Sequence, residues 1–102
     1  MPSGSGTPAK LPVRWNSRAR TSLNNSLHRI GAQDPGTSIL IQQRVSAALD
    51  AIAIQPGIGT PTQRRNTRRF PIAKTGHTIE YTVVDGEITI TRWVRQARVR
   101  KI

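Results

Sequence analysis

Two runs of arginine carry most of the chemical potential of this chain. Arg64, Arg65, Arg68 and Arg69 fall within six positions, and Arg92, Arg95, Arg98, Arg100 and Lys101 follow toward the end. A guanidinium offers its N–H groups as a rigid planar fork that fits phosphate or carboxylate and keeps its charge at any ordinary pH. Such side chains hold an anion, or stabilise negative charge as it develops in a reaction. Trp93 stands beside the second run, where an indole can stack on a base or on a guanidinium. Proton transfer needs a different group, and His77 and His28 are the side chains whose ordinary pKa lies near neutrality. His77 adjoins a turn and reads as an exposed residue. His28 falls near the end of a helix, where a cation is favoured.

The totals narrow the partners. Sixteen Lys and Arg against five Asp and Glu leave a formal net charge of +11 over 102 residues. That balance suits a polyanion: nucleic acid, a ribosome or an acidic protein. Cysteine is absent, which removes disulfides and thiolate zinc sites. Two separated histidines and few carboxylates give no metal site, and no cofactor is expected. No apolar run approaches the roughly 18 residues that span a bilayer, and none follows the N-terminal Lys as a secretory signal would require. A cytoplasmic protein without membrane association is the expectation.

The elements that must position these arginines can be read from spacing. Residues 1–10 begin MPSGSGTPA and read as a flexible arm. Leu11, Val13 and Trp15 alternate as in a short strand. Asn16 or Ser17 can cap a helix whose apolar stripe is Ala19, Leu23, Leu27 and Ile30. Gly31 is placed to end that helix in a left-handed conformation. Asp34-Pro35 opens a second helix with the stripe Ile41, Val45, Ala48, Leu49 and Ile52, stopped by Pro56-Gly57. The short connection makes the two an antiparallel hairpin.

Residues 57–66 read as an exposed loop. After it the period changes to two. Phe70 and Ile72 share one face of a strand in which Pro71 suits an edge or a bulge. Thr75-Gly76 makes a turn, and Ile79, Tyr81 and Val83 alternate in the next strand. Asp85-Gly86 favours a two-residue type I′ hairpin. That turn pairs Val83 with Ile88, Tyr81 with Ile90 and Ile79 with Arg92, and sets Thr82, Glu80 and Thr78 against Thr89, Thr91 and Trp93. The order β-α-α-β-β-β gives an α+β domain, an antiparallel sheet against a helical hairpin.

Four passages in that order resemble the RelE/ParE toxins of type II toxin–antitoxin systems over residues 11–102. WNSRARTSLNNSLHRIG is similar to the family's first helix. DPGTSILIQQRVSAALDAIAIQPGIGTP is similar to its second helix and "L…P..G" exit. NTRRFPIAKTGHTIEYTVVDGEITITRW is similar to its hairpin, and WVRQAR to the closing "V-H-x-x-R" segment, with Arg95 where many members carry His.

The resemblance implies a bacterial growth inhibitor held inactive by a cognate acidic antitoxin, often through an extended segment on the toxin's basic surface. RelE-like members cleave mRNA on the ribosome, and ParE-like members poison DNA gyrase. Aligned on GHTIEY, Arg69 keeps a basic position of the nucleases, while Pro71 and Thr78 stand where they carry basic residues. No Tyr follows Tyr81, and Arg98 takes the place of a late Arg. If the chain were a nuclease, Arg69, His77 and Arg98 would be its catalytic candidates. TRRF is closer to the ParE-like "TRE-apolar" pattern, although Arg69 replaces the acid. The reading leans to a ParE-like toxin without hydrolytic chemistry; the alternatives are a RelE-like ribosome-dependent mRNA endonuclease and a basic nucleic-acid-binding module. Arg64, Arg65, Arg68, Arg69, Arg92, Trp93, Arg95 and Arg98 are its candidate target- or antitoxin-binding residues.

Overall fold

A computed structural model describes residues 10–95 of the chain. Arg98, Arg100, Lys101 and nearly all of the expected N-terminal arm lie outside the described residues. In chain order the elements are β1 (Val13–Trp15), α1 (Ser17–Gln33), α2 (Pro35–Ile54), a 3₁₀ turn (Pro56–Ile58), β2 (Thr60–Pro61), β3 (Thr67–Ile72), β4 (His77–Val84) and β5 (Glu87–Arg95). The strands form one sheet in the order β1-β5-β4-β3-β2. Its pairings are antiparallel except that β1 runs parallel to β5. That orientation follows from the α1–α2 hairpin, long enough to serve as a crossover connection. Among the described residues no helix is long and apolar enough to cross a membrane.

The helix starts follow from their caps. Asn16 accepts from the backbone N–H of Ala19 at 2.8 Å, satisfying one free donor of the first turn of α1. Asp34 accepts from the N–H and hydroxyl of Thr37 at the start of α2, and Pro35 takes the position where no N–H is needed. Asp34 alone joins the helices, because its own N–H closes α1 on Ile30. The helix therefore does not end at Gly31. It passes through Gly31 to Gln33, and the missing side chain serves packing instead. A Cβ on Gly31 would stand 3.4 Å from that of Ser38, whose hydroxyl donates to the carbonyl of Leu27.

The helices cover one face of the sheet. Ala19 on α1 and Ile41, Val45, Ala48 and Ile52 on α2 meet Ile72, Ile79, Tyr81, Ile88, Ile90 and Trp93. Truncating one of the buried isoleucines to Ala removes about 2–5 kcal/mol, through lost burial and the cavity left behind.

The β4–β5 turn is of the expected type, since Asp85 and Gly86 both have positive φ, at 52° and 74°. Val83 pairs with Ile88 and Tyr81 with Ile90. Beyond that point the expected register fails. Ile79 pairs with Trp93 rather than Arg92, and Glu80 with Arg92, because the ladder shifts between Glu80 and Tyr81. Thr91 is the extra residue of this bulge. It sends its hydroxyl to the Glu80 carbonyl, while its own carbonyl accepts from the Asn16 side chain. One inserted residue inverts the facing of all that follows. Trp93 turns in beneath the helices, and Arg92 turns out.

The segment 57–66 is not a free loop. Tyr81, fully buried, donates its hydroxyl to the Pro56 carbonyl at 2.7 Å and accepts from the N–H of Gly59 at 3.0 Å. Arg68 donates to the carbonyls of Gly57 and Gly59. β2 then pairs with β3 through Thr60–Arg69 and Pro61–Arg68.

Candidate anion-binding face

Cross-strand register sorts the candidate residues onto two faces. Arg69 on β3, Glu80 on β4 and Arg92 on β5 lie side by side on the face away from the helices. Glu80 is only 6% exposed there. Its carboxylate lies 3.3 Å from the Arg69 guanidinium and 4.0 Å from that of Arg92. A buried carboxylate without partners would be strongly disfavoured, and these two cations compensate it and are held by it in return. Arg64 arrives from the turn after β2 and lines the same hollow, about 600 Å³ in volume, with Arg69, Glu80 and Arg92.

A second hollow of about 510 Å³ adjoins it on the α1 side. Arg18 and Ser22 of α1, Asn16, Arg64 and Arg92 line it. Arg65 lines a third, with Arg64 and Arg68, at the turn before β3. Arg64 thus borders all three.

The other candidates face elsewhere. Arg68 pairs with Tyr81 on the helix side, its guanidinium committed to backbone carbonyls. Arg95 is exposed but opposite His77, so it does not share a face with Arg92. Trp93, expected beside the basic cluster, is 7% exposed, and its indole N–H donates to the Ser26 hydroxyl at 3.0 Å. His77, expected at the surface, is 5% exposed and stacks on Trp93, with ring centroids 4.6 Å apart and planes 15° from parallel. Its Nδ1 faces the Thr75 carbonyl at 3.2 Å. Burial holds the His77 imidazole below its ordinary pKa, the Thr75 hydrogen bond acts the other way, and Arg95 and Arg29 add to the lowering. Burial likewise raises the Tyr81 phenol. His77 and Tyr81 are thus both turned under the helices, away from Arg69 and Arg92. His28 lies within α1 and is exposed.

Two residues of this face escaped the sequence reading. Glu80 is the one acid of β4 and could be placed opposite the apolar face by alternation, but the bulge that brings Arg92 beside it was not legible. Arg18 falls in the first turn of α1, where acids are favoured by the helix dipole and none is present. That reversal was the available signal. Among the described residues, no three His, Asp or Glu side chains gather to hold a metal ion.

What fold and face define together is a class: a small α+β domain whose helical hairpin supports a sheet with an arginine-rich outer face. Scanned against models of protein families, the chain matches none. A protein of Sinorhizobium fredii described as "Putative toxin Y4kP" is 30% identical over 71 residues, covering 70% of this chain and 74% of that protein. A chain of the solved structure "Chromosomal ParDE TA system from P. aeruginosa" superposes with a TM-score of 0.74 at 16% identity, covering 87% of this chain and 99% of its own. At that identity the superposition speaks for the fold. The chain belongs to the RelE/ParE family of toxin–antitoxin toxins.

Proposed function

We propose that this toxin acts as a ParE-like poison of DNA gyrase, without hydrolytic chemistry, and is neutralised by a cognate acidic antitoxin. The observation that carries the reading is the pair Pro71 and Thr78. They are direct cross-strand partners on the outer face, beside Arg69 and Glu80. These are the two positions where the RelE-like nucleases carry basic side chains, so the face has an apolar ring and a hydroxyl where charge stabilisation of a cleaved phosphodiester would be needed. The burial of His77 and Tyr81 adds to this, because neither can reach a 2′-OH or a leaving oxygen lying on that face.

The family's antitoxins bind the toxin's basic surface, and Arg64, Arg65, Arg69 and Arg92 are the residues this reading assigns to contact with antitoxin or target. Arg68 and Arg95 flank them from the other face. Arg98 belongs to the same assignment, on sequence alone. The test is to induce the chain without an antitoxin in growing bacteria and assay the purified protein on gyrase. Inhibited supercoiling, a DNA-damage response and intact translated mRNA are expected. Codon-positioned cuts in ribosome-bound mRNA, abolished by Arg69→Ala, without a damage response would overturn the reading in favour of a RelE-like nuclease.

A further inference from the structure

The hollow between α1 and β5 brings three guanidinium groups together, from Arg18, Arg64 and Arg92, with no carboxylate in its lining. They come from three separate segments, so the fold and not local sequence assembles them. The N-terminal end of α1 adds its partial positive charge, with no acid in its first turn. Asn16 and Ser22 contribute neutral polar groups. Like charges converging on one concavity repel one another until an anion enters. The neighbouring hollow holds Glu80, which already engages Arg69 and Arg92 there.

We propose that this hollow seats a backbone phosphate of a nucleic acid strand. Glu80 shows what a carboxylate does on this face: it is planar, and Arg69 and Arg92 suffice for it. A phosphodiester is tetrahedral and accepts donors from several directions, as required by three forks that approach from a helix, a turn and a strand. Arg64 also borders the two further hollows, which extends the cationic lining from α1 to the turn before β3. A ligand with charge repeated along its length matches that track better than a single small anion. Glu80 repels phosphate from the middle hollow, so the α1 side is the principal seat. Arg92 has two roles: the ion pair with Glu80 fixes its direction, and its remaining donors serve the phosphate. The proposal rests on the gyrase reading only for which strand is met in the cell, namely the DNA that gyrase holds.

The test uses the full chain and a fluorescently labelled DNA oligonucleotide, single-stranded and duplex, with binding followed by anisotropy from about 50 to 200 mM salt. Arg18→Ala, Arg64→Ala and Arg92→Ala should each weaken binding several-fold and reduce the salt slope by about one. Arg20→Ala and Arg29→Ala, on α1 but outside the hollow, should change binding less than about twofold, since they remove the same charge without the seat. Glu80→Gln should tighten binding. Equal losses from the hollow and control arginines would overturn the proposal in favour of diffuse charge, as would no binding at the lowest salt. Stronger binding of a polyglutamate peptide than of an oligonucleotide of equal charge would reassign the hollow to an acidic protein. Oligonucleotide binding with intact gyrase supercoiling would sink the gyrase reading and leave the phosphate seat standing.

Discussion

The indole N–H of Trp93 on β5 donates to the hydroxyl of Ser26 on α1 at 3.0 Å, joining sheet and helix across 67 positions of chain. Both groups are buried. Ser26→Ala would leave the indole donor without a partner inside the fold, which costs about 1–3 kcal/mol. Trp93→Phe should cost a similar amount, and Trp93→Ala about 3–5 kcal/mol. Urea unfolding followed by far-UV circular dichroism reads all three. An unchanged midpoint for Ser26→Ala would show that the hydrogen bond contributes nothing net.

His77 lies against the same indole and makes stability depend on pH. In the unfolded chain its imidazole takes up a proton near the ordinary value of 6.5. In the fold, burial, Arg95 and Arg29 oppose that uptake more than the Thr75 hydrogen bond favours it. The unfolded state therefore binds more protons below neutrality, and stability rises with pH across that window. The contribution is present above about pH 6.5 and is lost as pH falls through the lower folded value. Thermal melts at stepped pH should show this decline in the wild type and a flatter profile in His77→Phe. Parallel profiles would mean that another group controls the transition.

Gly59 sits where backbone and side chain meet too closely for any other residue. A Cβ there would come 2.7 Å from the Tyr81 hydroxyl and 2.9 Å from the Arg69 carbonyl. Gly59→Ala must displace either β3 or the Tyr81 anchor, at about 1–3 kcal/mol. Because Arg69 stands on that strand, the substitution should also weaken whatever the outer face binds. Tyr81→Phe removes the anchor without crowding, and should cost about 1–3 kcal/mol through the stranded Gly59 N–H. Denaturant midpoints separate the two effects from wild type. Wild-type stability in Gly59→Ala would show that the 56–61 segment moves freely.

What the residues disclosed in advance was local. The caps at Asn16 and Asp34, the two apolar stripes and the Asp85-Gly86 turn each depend on neighbours within a few positions, so their spacing was sufficient. The parts that escaped depend on partners far away in the chain. Gly31 reads locally as a terminator, yet its role is set by Ser38 across the helical turn. Arg68 reads as one more cation of a cluster, yet its guanidinium closes on Gly57 and Gly59. Arg64, Arg69 and Arg92 could be named as candidates, but the expected register set Arg92 opposite Ile79 on the apolar face, and only the bulge turns it outward. The buried carboxylate between Arg69 and Arg92 escaped for the same reason, because Glu80 joins Arg92 only through the bulge.

That bulge gives the sharpest prediction. Thr91 is the extra residue that lets Arg92 face Glu80 and Trp93 face Ile79. Deleting it removes the unpaired residue and leaves the facing unchanged, because Ile90, Arg92 and Trp93 then stand in strict alternation opposite Tyr81, Glu80 and Ile79. What the deletion removes is the Thr91 hydroxyl bond to the Glu80 carbonyl and the carbonyl that accepts from the Asn16 side chain beside the α1 cap. The loss should be about 1–2 kcal/mol, and the chain should stay folded with Trp93 buried. Thr91→Ala keeps the residue count and removes only the long hydrogen bond to Glu80, so it should stay within about 1 kcal/mol of wild type. Circular dichroism and thermal melting of the two variants separate the length of the strand from the identity of the residue. A deletion variant that is largely unfolded would show that the local bend and twist of the bulge, and not alternation alone, hold Arg92 and Trp93 on their faces.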